Sequence, residues 1–434
     1  MSFKQYIIIA LETSGLDAKN DKIIEISALK VKRGLIIDEF TTLINPERSL
    51  PKDLINFTSI NEEDLAKAPL MKDIAQRLED FIGDDWLLAY NSDFAQSFLK
   101  DYLPHNPPYL DIMALAMIVF PVFDSYSLEN ICQHLQLINN SPGRAAGDGE
   151  AVYHIFQSIR QKLQGLPRLV GSSLWQLANK KADATDLDQW IAMECEKYYQ
   201  EGDRSYYLPA YLPDPIVERD IDEEYQLPLS QIDDFFAAQA ALTEKMANFE
   251  ERPQQLVFSK AVAQAFNQKY FLLAEAGTGT GKSLSYLLPS VLFALGSGRQ
   301  IAISTHTINL QEQLINKDIP LLEKLLDRKF NSVILKGRGN YLCLSLLSSY
   351  LKQGDAKLRP FLYRILVWLA ETEDGDSSQL YLTGYHRWQW RLLSAAKDNC
   401  LAPFCTYCKS QCFVQRSRRK VLSGDIFILN HSLL

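Results

Sequence analysis

The chain has 434 residues, room for about two to four domains, and its 47% hydrophobic and 23% charged content is ordinary for a soluble globular protein. A net charge of −8 excludes a uniformly basic surface, while local basic patches stay open to nucleic acid. No apolar run approaches the ~18 residues of a membrane helix, and Glu12 breaks the N-terminal apolar stretch before any cleavage site, so no signal peptide is read and the expected compartment is the cytoplasm.

Residues 5–44 read as three strands, QYIIIAL, KIIEISALKV and LIIDEFTTLI, with EIS alternating as a half-buried strand does. NEEDLAKAP opens a helix with Asn61 as N-cap, acids in the first turn and Pro69 near the end. LMKDIAQRLEDFIG carries apolar residues at helical spacing and stops at Gly83. WLLAYN is a short buried strand, and SYSLENICQHLQL and GDGEAVYHIFQSIRQKL are amphipathic helices. Strands with helices between them make 1–163 an α/β domain. Residues 164–235, rich in Pro, Tyr and acids, read as an acidic linker region with one packed helix around DLDQWIAMECEKYY.

A second α/β block begins at 236. FLLAEAGTGTGKSLSYLLPSVLFAL reads as strand, Gly-rich loop and helix, RQIAISTHTINLQEQLI as strand, turn and helix, and FNSVILKGRGNYLC as a third strand. The loop, AEAGTGTGKS, follows the phosphate-binding pattern G-x-x-x-x-G-K-[ST], with Ala276 at its first glycine and Gly281, Lys282 and Ser283 in place. Gly277, Gly279 and Gly281, with Thr278 and Thr280 between them, let backbone N–H groups turn toward an anion at a helix N-terminus. Lys282 would reach the β- and γ-phosphates of ATP, and Ser283 would ligate its Mg²⁺.

This block resembles the first motor domain of superfamily 2 helicases, most closely the DinG and XPD group, whose loop reads A-x-A-G-T-G-T-G-K-[ST]. The resemblance implies that Gln255 reads adenine and that Ser304, Thr305, His306 and Thr307 touch DNA phosphate. Polar residues after a strand more commonly serve as a helix N-cap.

The chain has seven cysteines, five of them after residue 340 and four between Cys400 and Cys412. In a cytoplasmic chain such clustering points to metal before disulfides, and thiolates suit an iron–sulfur cluster or zinc, with free structural thiols as the plain alternative. In DinG-like and XPD-like helicases one cysteine after a GRGNYLC segment joins three close together on a [4Fe–4S] cluster. By that resemblance the ligands are Cys343, Cys400, Cys405 and Cys412, with Cys408 a substitute for Cys405. Arg416, Arg418, Arg419 and Lys420 follow as a basic patch suited to the phosphates of single-stranded DNA.

The first 160 residues resemble DEDDh exonucleases, through ALETSG, TSINEEDLAKAP, LLAYNSDFAQSFL and GRAAGDGEAV. Such enzymes hold two metal ions on four carboxylates and use a His as general base. Carried over by position, the first Asp falls on Ala10, the Asp of the second motif on Ala95 and the His on Gly143, while Glu12 and Asp148 remain. Asp93 lies two residues from Ala95 and Glu150 two residues from Asp148, so both fall on other helix faces. The site therefore reads as degenerate.

In the resembling helicases a strand bearing D-E-A-H follows a segment like the closing DIFILNHSLL. The expected architecture is a ribonuclease H-like exonuclease domain, then part of a RecA-like P-loop motor domain (236–336 and 416–434) with a helical, cysteine-bearing insertion (337–415), truncated before Walker B. The resemblance implies a DinG-type DNA helicase and 3'-5' exonuclease of the DNA-repair class, inactive in unwinding at this length. The alternative is a non-catalytic module that binds nucleic acid or protein.

Overall fold

The apolar run at the N-terminus becomes the middle of a sheet. The computed structural model describes residues 5–103, 107–179, 183–203, 205–209, 219–237, 253–277, 281–396 and 400–433. In it β1 (Gln5–Thr13) pairs antiparallel with β2 (Ile23–Lys32), and β2 antiparallel with β3 (Leu35–Leu43). On its other edge β1 runs parallel to β4 (Trp86–Ala89), and β4 to β5 (Tyr109–Asp111), giving the order β3-β2-β1-β4-β5. A strand paired on both edges and covered on both faces has no polar side, so Tyr6 to Ile9 form a continuous buried run. The same holds for β2, where Ile23 to Leu29 are all buried, Glu25 included. EIS is thus covered on both faces, where alternation alone reads as half-buried.

Alternation still sorts the side chains of β1. Ile7, Ile9 and Leu11 join a cluster with Ile74 and Leu78 of α1 (Met71–Ile82) and Phe98 of α2 (Ser92–Leu99). The chain passes from β5 into α3 (Ile112–Val119), whose first turn is capped by the Asp111 carboxylate. It then reaches α4 (Ala145–Gln164), the helix on the other face of β1. There Tyr6 meets Phe156 edge-on at 5.1 Å, and Gln157 Nε2 donates to its hydroxyl at 3.0 Å. Ala10 and Glu12 share the parity of Tyr6 and face α4.

The stretch after 164 packs rather than links. α5 (Arg168–Ala178) buries Val170, Leu174 and Leu177, and α6 (Asp186–Cys195) buries Trp190 and Ile191. Thr185 and Asp188 close a capping box on α6. Trp190 lies 5.7 Å from Phe156, so α6 completes the apolar cover of α4. The apolar stripe of each helix is sparse and interrupted by polar residues, which is why composition alone reads as a spacer.

The chain divides into two units, one of Met1–Pro209 with Leu344–Leu393 and one of Ala210–Cys343 with Ser394–Leu434. The second unit contains α7 (Pro253–Gln268), α8 (Lys282–Ser297), β6 (Ile301–Thr305), α9 (Ile308–Gln313) and β7 (Ser332–Leu335). The first unit then gains α10 (Arg359–Trp368) and α11 (Gly384–Leu393), and α12 (Phe413–Ser423) and β8 (Ile426–Asn430) close the second. β8 lies between β6 and β7, all parallel. The apolar FLLAEA segment does not form the expected strand: it has no ladder among the described residues, and Phe271 and Leu273 are fully exposed. The sheet β6-β8-β7 does not take this segment up, and an apolar pattern that pairs with no edge is not a strand.

α10 is buried all round, as its near-continuous apolar sequence requires. Its two arginines and Tyr363 find partners within the first unit, although Arg359 Nε and Arg364 Nε are buried without a hydrogen bond. Arg359 reaches Asp188 at 3.0 Å and Asp183 at 3.0 Å, and the Tyr363 hydroxyl donates to Asp188 at 2.6 Å. Arg364 donates to the carbonyls of Pro121 at 2.8 Å and Tyr381 at 3.0 Å. Asp188 and Arg359 are each 1% exposed, so removing one strands the other. Asp188→Ala is expected to lower stability by about 3–5 kcal/mol. Lys329→Ala, which removes an exposed partner of Glu323, is expected to cost less than about 1 kcal/mol. Urea-unfolding midpoints check the contrast, and equal midpoints would refute it.

Candidate functional site

Two strands and a helix start bring three carboxyl groups together. Glu12 on β1 is the register partner of Glu25 on β2, and α4 carries Asp148 across from them. Glu25 is 2% exposed and accepts three kinds of donor. Arg144 Nη2 donates at 2.6 Å, Arg144 Nε at 3.0 Å, and the Ala145 N–H at 2.8 Å. α4 has no side-chain cap of its own at Arg144, so Glu25 caps its first turn from the neighbouring sheet. Asp148 accepts from Asn139 Nδ2 at 2.7 Å.

The electrostatics follow from this crowding. Burial, and then the charges of Asp148 and Glu25, push the Glu12 carboxyl up to about 7, against the pull of Arg144. Asp148 is raised by burial and Glu25, with the Asn139 hydrogen bond opposing. Arg144 is held charged by Glu25. Arg144 is the cation that acts on Glu12, and its hydrogen bonds go to Glu25.

The three positions read as vacated differ in kind. Ala10 faces α4, where a Cβ added at Gly149 would lie 3.8 Å from its methyl. Ala95 is buried in the apolar cluster under β1. Gly143 has φ +75°, and a Cβ there would meet the Phe57 carbonyl oxygen at 2.9 Å, so this backbone does not accept a His side chain. Asp93 and Glu150 are both exposed. Among the described residues no three His, Cys, Asp or Glu side chains are arranged to hold a metal ion. Glu25, Arg144 and Asn139 were not singled out from the sequence. A charge inside the apolar run IIEIS was the available signal, because an almost fully buried carboxylate requires a partner.

In the second unit, Gly281 has φ +75° and starts α8, the conformation the loop pattern requires. Gln255 is buried on α7 with Nε2 3.5 Å from the Gly281 carbonyl oxygen, and Lys282 Nζ donates to the Ala276 carbonyl at 2.9 Å. Ser283 hydrogen-bonds Tyr286, one turn on. Thr278, Gly279 and Thr280 lie outside the described residues, while Gly277 is within them. Ser304 Oγ lies 2.6 Å from His431 Nδ1, and the His306 and His431 rings are 6.1 Å apart. Thr305 is buried, and the Thr307 hydroxyl caps α9.

The cysteines Cys343, Cys400, Cys405, Cys408 and Cys412 form no disulfide and are half-buried. Burial raises the Cys412 thiol, and Cys408 and Cys343 push it the same way, while N–H groups of the first turn of α12 pull it down. Cys408 thus stands with Cys412 and Cys343. This arrangement makes no ligand set for a [4Fe–4S] cluster or zinc among the described residues. Arg416, Arg418, Arg419 and Lys420 lie along α12. Arg418 lines a cleft of about 530 Å³ with Lys336, Arg338 and Ser417, and Arg419 donates to the Lys409 carbonyl at 2.9 Å.

Residues 7–156 match the Exonuclease family RNase_T. The chain is 30% identical over 460 residues to "3'-5' exonuclease DinG" of Bacillus subtilis (strain 168), covering 100% of this chain and 48% of that protein. It is 29% identical over 388 residues to the protein of the same description in Staphylococcus saprophyticus, covering 87% and 42%. It thus spans about half the length of the curated relatives it matches. Among solved structures, "Exonuclease X in complex with 5' overhanging duplex DNA" aligns at 24% identity and a TM-score of 0.31, over 36% of this chain and 91% of that one. A domain of this family implies a divalent metal such as Mg²⁺, and the carboxylates here do not form a group that fits one.

The raised Glu12 carboxyl gives a pH signature. In the unfolded chain it ionises near 4.5 and in the folded chain near 7. Between those values the folded state holds the extra proton, so this group makes stability fall as pH rises from 4.5 to 7, with the loss complete above 7. Glu12→Gln is expected to match the parent near pH 4 and to exceed it at pH 8 by roughly 1–3 kcal/mol. Denaturation at both pH values checks this, and a variant less stable at pH 8 refutes it.

Proposed function

We propose that this chain, a DinG-type protein with an N-terminal exonuclease domain, holds nucleic acid on an exonuclease fold that no longer cuts it. The observation that carries this is the state of the site. Glu12 and Asp148 are raised carboxyls sharing a pocket with Glu25, whose charge Arg144 already answers. Ala10 and Ala95 offer no ligand, and the backbone at Gly143 has no room for a general base. DNA is the nucleic acid that the family relation favours, with single strands as the form that exonuclease folds and basic grooves accommodate. The basic face of α12, with Arg418 exposed beside Lys336 and Arg338, supports phosphate contact.

A second activity has its own support. The left-handed Gly281, the buried Gln255 against it and Lys282 at the helix start favour binding of a nucleoside triphosphate such as ATP, with Ser283 toward its Mg²⁺.

The test uses a 5'-labelled single-stranded DNA with Mg²⁺ or Mn²⁺. The expected result is a retarded but unshortened strand, with affinity falling as salt rises and a salt slope reduced by about 1 in Arg418→Ala. Shortening that disappears in Glu12→Gln would overturn the non-cutting reading. For the loop, titration with a fluorescent ATP analogue is expected to saturate, and Lys282→Ala to weaken it about tenfold or more. Equal affinities would refute the assignment of Lys282.

A further inference from the structure

The segment from Ser377 to Lys397 stands out in an acidic chain. It contains Arg387, Arg391 and Lys397 and no Asp or Glu, although the whole chain has a net charge of −8. Within it α11 divides its aromatic residues between two faces. Gln389, Trp390 and Leu393 face inward, and Trp390 meets Trp368 edge-on at 5.9 Å. The outward face follows helical spacing: Tyr385, Trp388 and Arg391 lie three residues apart, with Tyr381 one turn before them and Arg387 beside them.

Tyr385 is 57% exposed, Trp388 52% and Tyr381 39%. The Tyr385 and Trp388 rings lie 5.8 Å apart and are inclined by only 25°, so they present one aromatic wall. Arg387 is exposed and is steered by its Nε donating to the Leu382 carbonyl at 3.1 Å. The helix under this wall is anchored. His386 stacks near-parallel on Phe361 and pairs with Thr383 Oγ1 at 2.9 Å, and Gln389 Nε2 donates to the Lys357 carbonyl at 3.3 Å. Phe361 belongs to α10, which Arg359 and Arg364 lock into the first unit.

Single exposed aromatics are common on protein surfaces and require no explanation. Two near-parallel rings flanked by guanidinium groups, in a segment without acid, have a specific chemistry. π-faces accept unstacked bases, and the cations answer the phosphates between them. In a duplex the bases are already stacked inside, so the wall suits a single strand. A protein partner would gain from the rings but would need acidic groups for the arginines.

We propose that the outward face of α11, centred on Tyr385 and Trp388, is a stacking platform for single-stranded nucleic acid. The platform rests on the nucleic-acid reading above and adds a contact outside both the carboxylate site and the basic helix α12. It holds two or three bases on its rings, without sequence preference, and passes the strand along a rigid part of the unit that carries the exonuclease fold.

The test measures a fluorescent oligo(dT) by anisotropy with the full chain. The double variant Tyr385→Ala/Trp388→Ala is expected to bind about 10- to 100-fold more weakly. Tyr385→Phe/Trp388→Phe, which keeps two π-faces, is expected to stay within about threefold of the parent. Photocross-linking of an iodouracil-substituted oligo(dT) to the unaltered chain gives a readout that no folding defect can imitate, with adducts expected on Tyr385 or Trp388. A parent that binds while the alanine pair binds equally well, with adducts only elsewhere, overturns the platform and leaves the nucleic-acid reading standing. A parent that binds no single strand overturns both.

Discussion

Glu25 sits in a place where a carboxylate is costly, near the start of β2 and 2% exposed. Its charge has to be answered nearby, and the answer comes from the start of α4: the Arg144 guanidinium and the Ala145 N–H. This attachment fixes the angle at which α4 crosses the sheet. It sets Asp148, one turn along, against Glu12, and it places the Tyr6 and Phe156 rings in contact below. The same attachment consumes the cation that would otherwise relieve Glu12 and Asp148. Their raised carboxyls are the electrostatic consequence of how the helix is tied to the sheet.

The losses around this pair are of three kinds. Ala10 still faces the helix and is simply short. Ala95 has been absorbed into the apolar cluster, where a carboxylate would meet only hydrocarbon. At Gly143 the backbone itself is in the left-handed region against the Phe57 carbonyl. The fold accommodates all three because its stability comes from the apolar side chains buried on β1, β2 and α4.

The helical return of the chain shows the same economy of partners. α10 brings two arginines into an apolar setting, and each polar contact found for them lies in the first unit: Asp188, Asp183, and the carbonyls of Pro121 and Tyr381. Such networks give geometry at a cost in desolvation. Here the geometry gained is a rigid seat for α11, whose inner face is packed and whose outer face keeps its rings in solvent.

Much was legible in the chain itself. The strands of the first sheet follow from their apolar runs, the Asn61 cap from its acids, and the start of α8 from a glycine pattern that only a left-handed residue satisfies. The absence of chemistry at Ala10, Ala95 and Gly143 also follows from side-chain identity, because a methyl or a hydrogen neither ligates nor accepts a proton. What the sequence could not decide were the pairings between distant positions. FLLAEA has the pattern of a strand, but a strand exists only where an edge accepts its hydrogen bonds, and the sheet β6-β8-β7 does not take it up. The helix expected around DLDQWIAMECEKYY is α6, but that its Trp190 would meet Phe156 of α4, and that α5 would pack before it, was not legible in a region read as linker. The partners of Glu25, Arg359 and Asp188 lie 119, 171 and 175 residues away in the chain, beyond the reach of any local pattern. Local identity thus determined which groups this protein has and lacks. Only the tertiary structure decided which of them are neutralised, because a buried charge is settled by whatever the fold brings beside it.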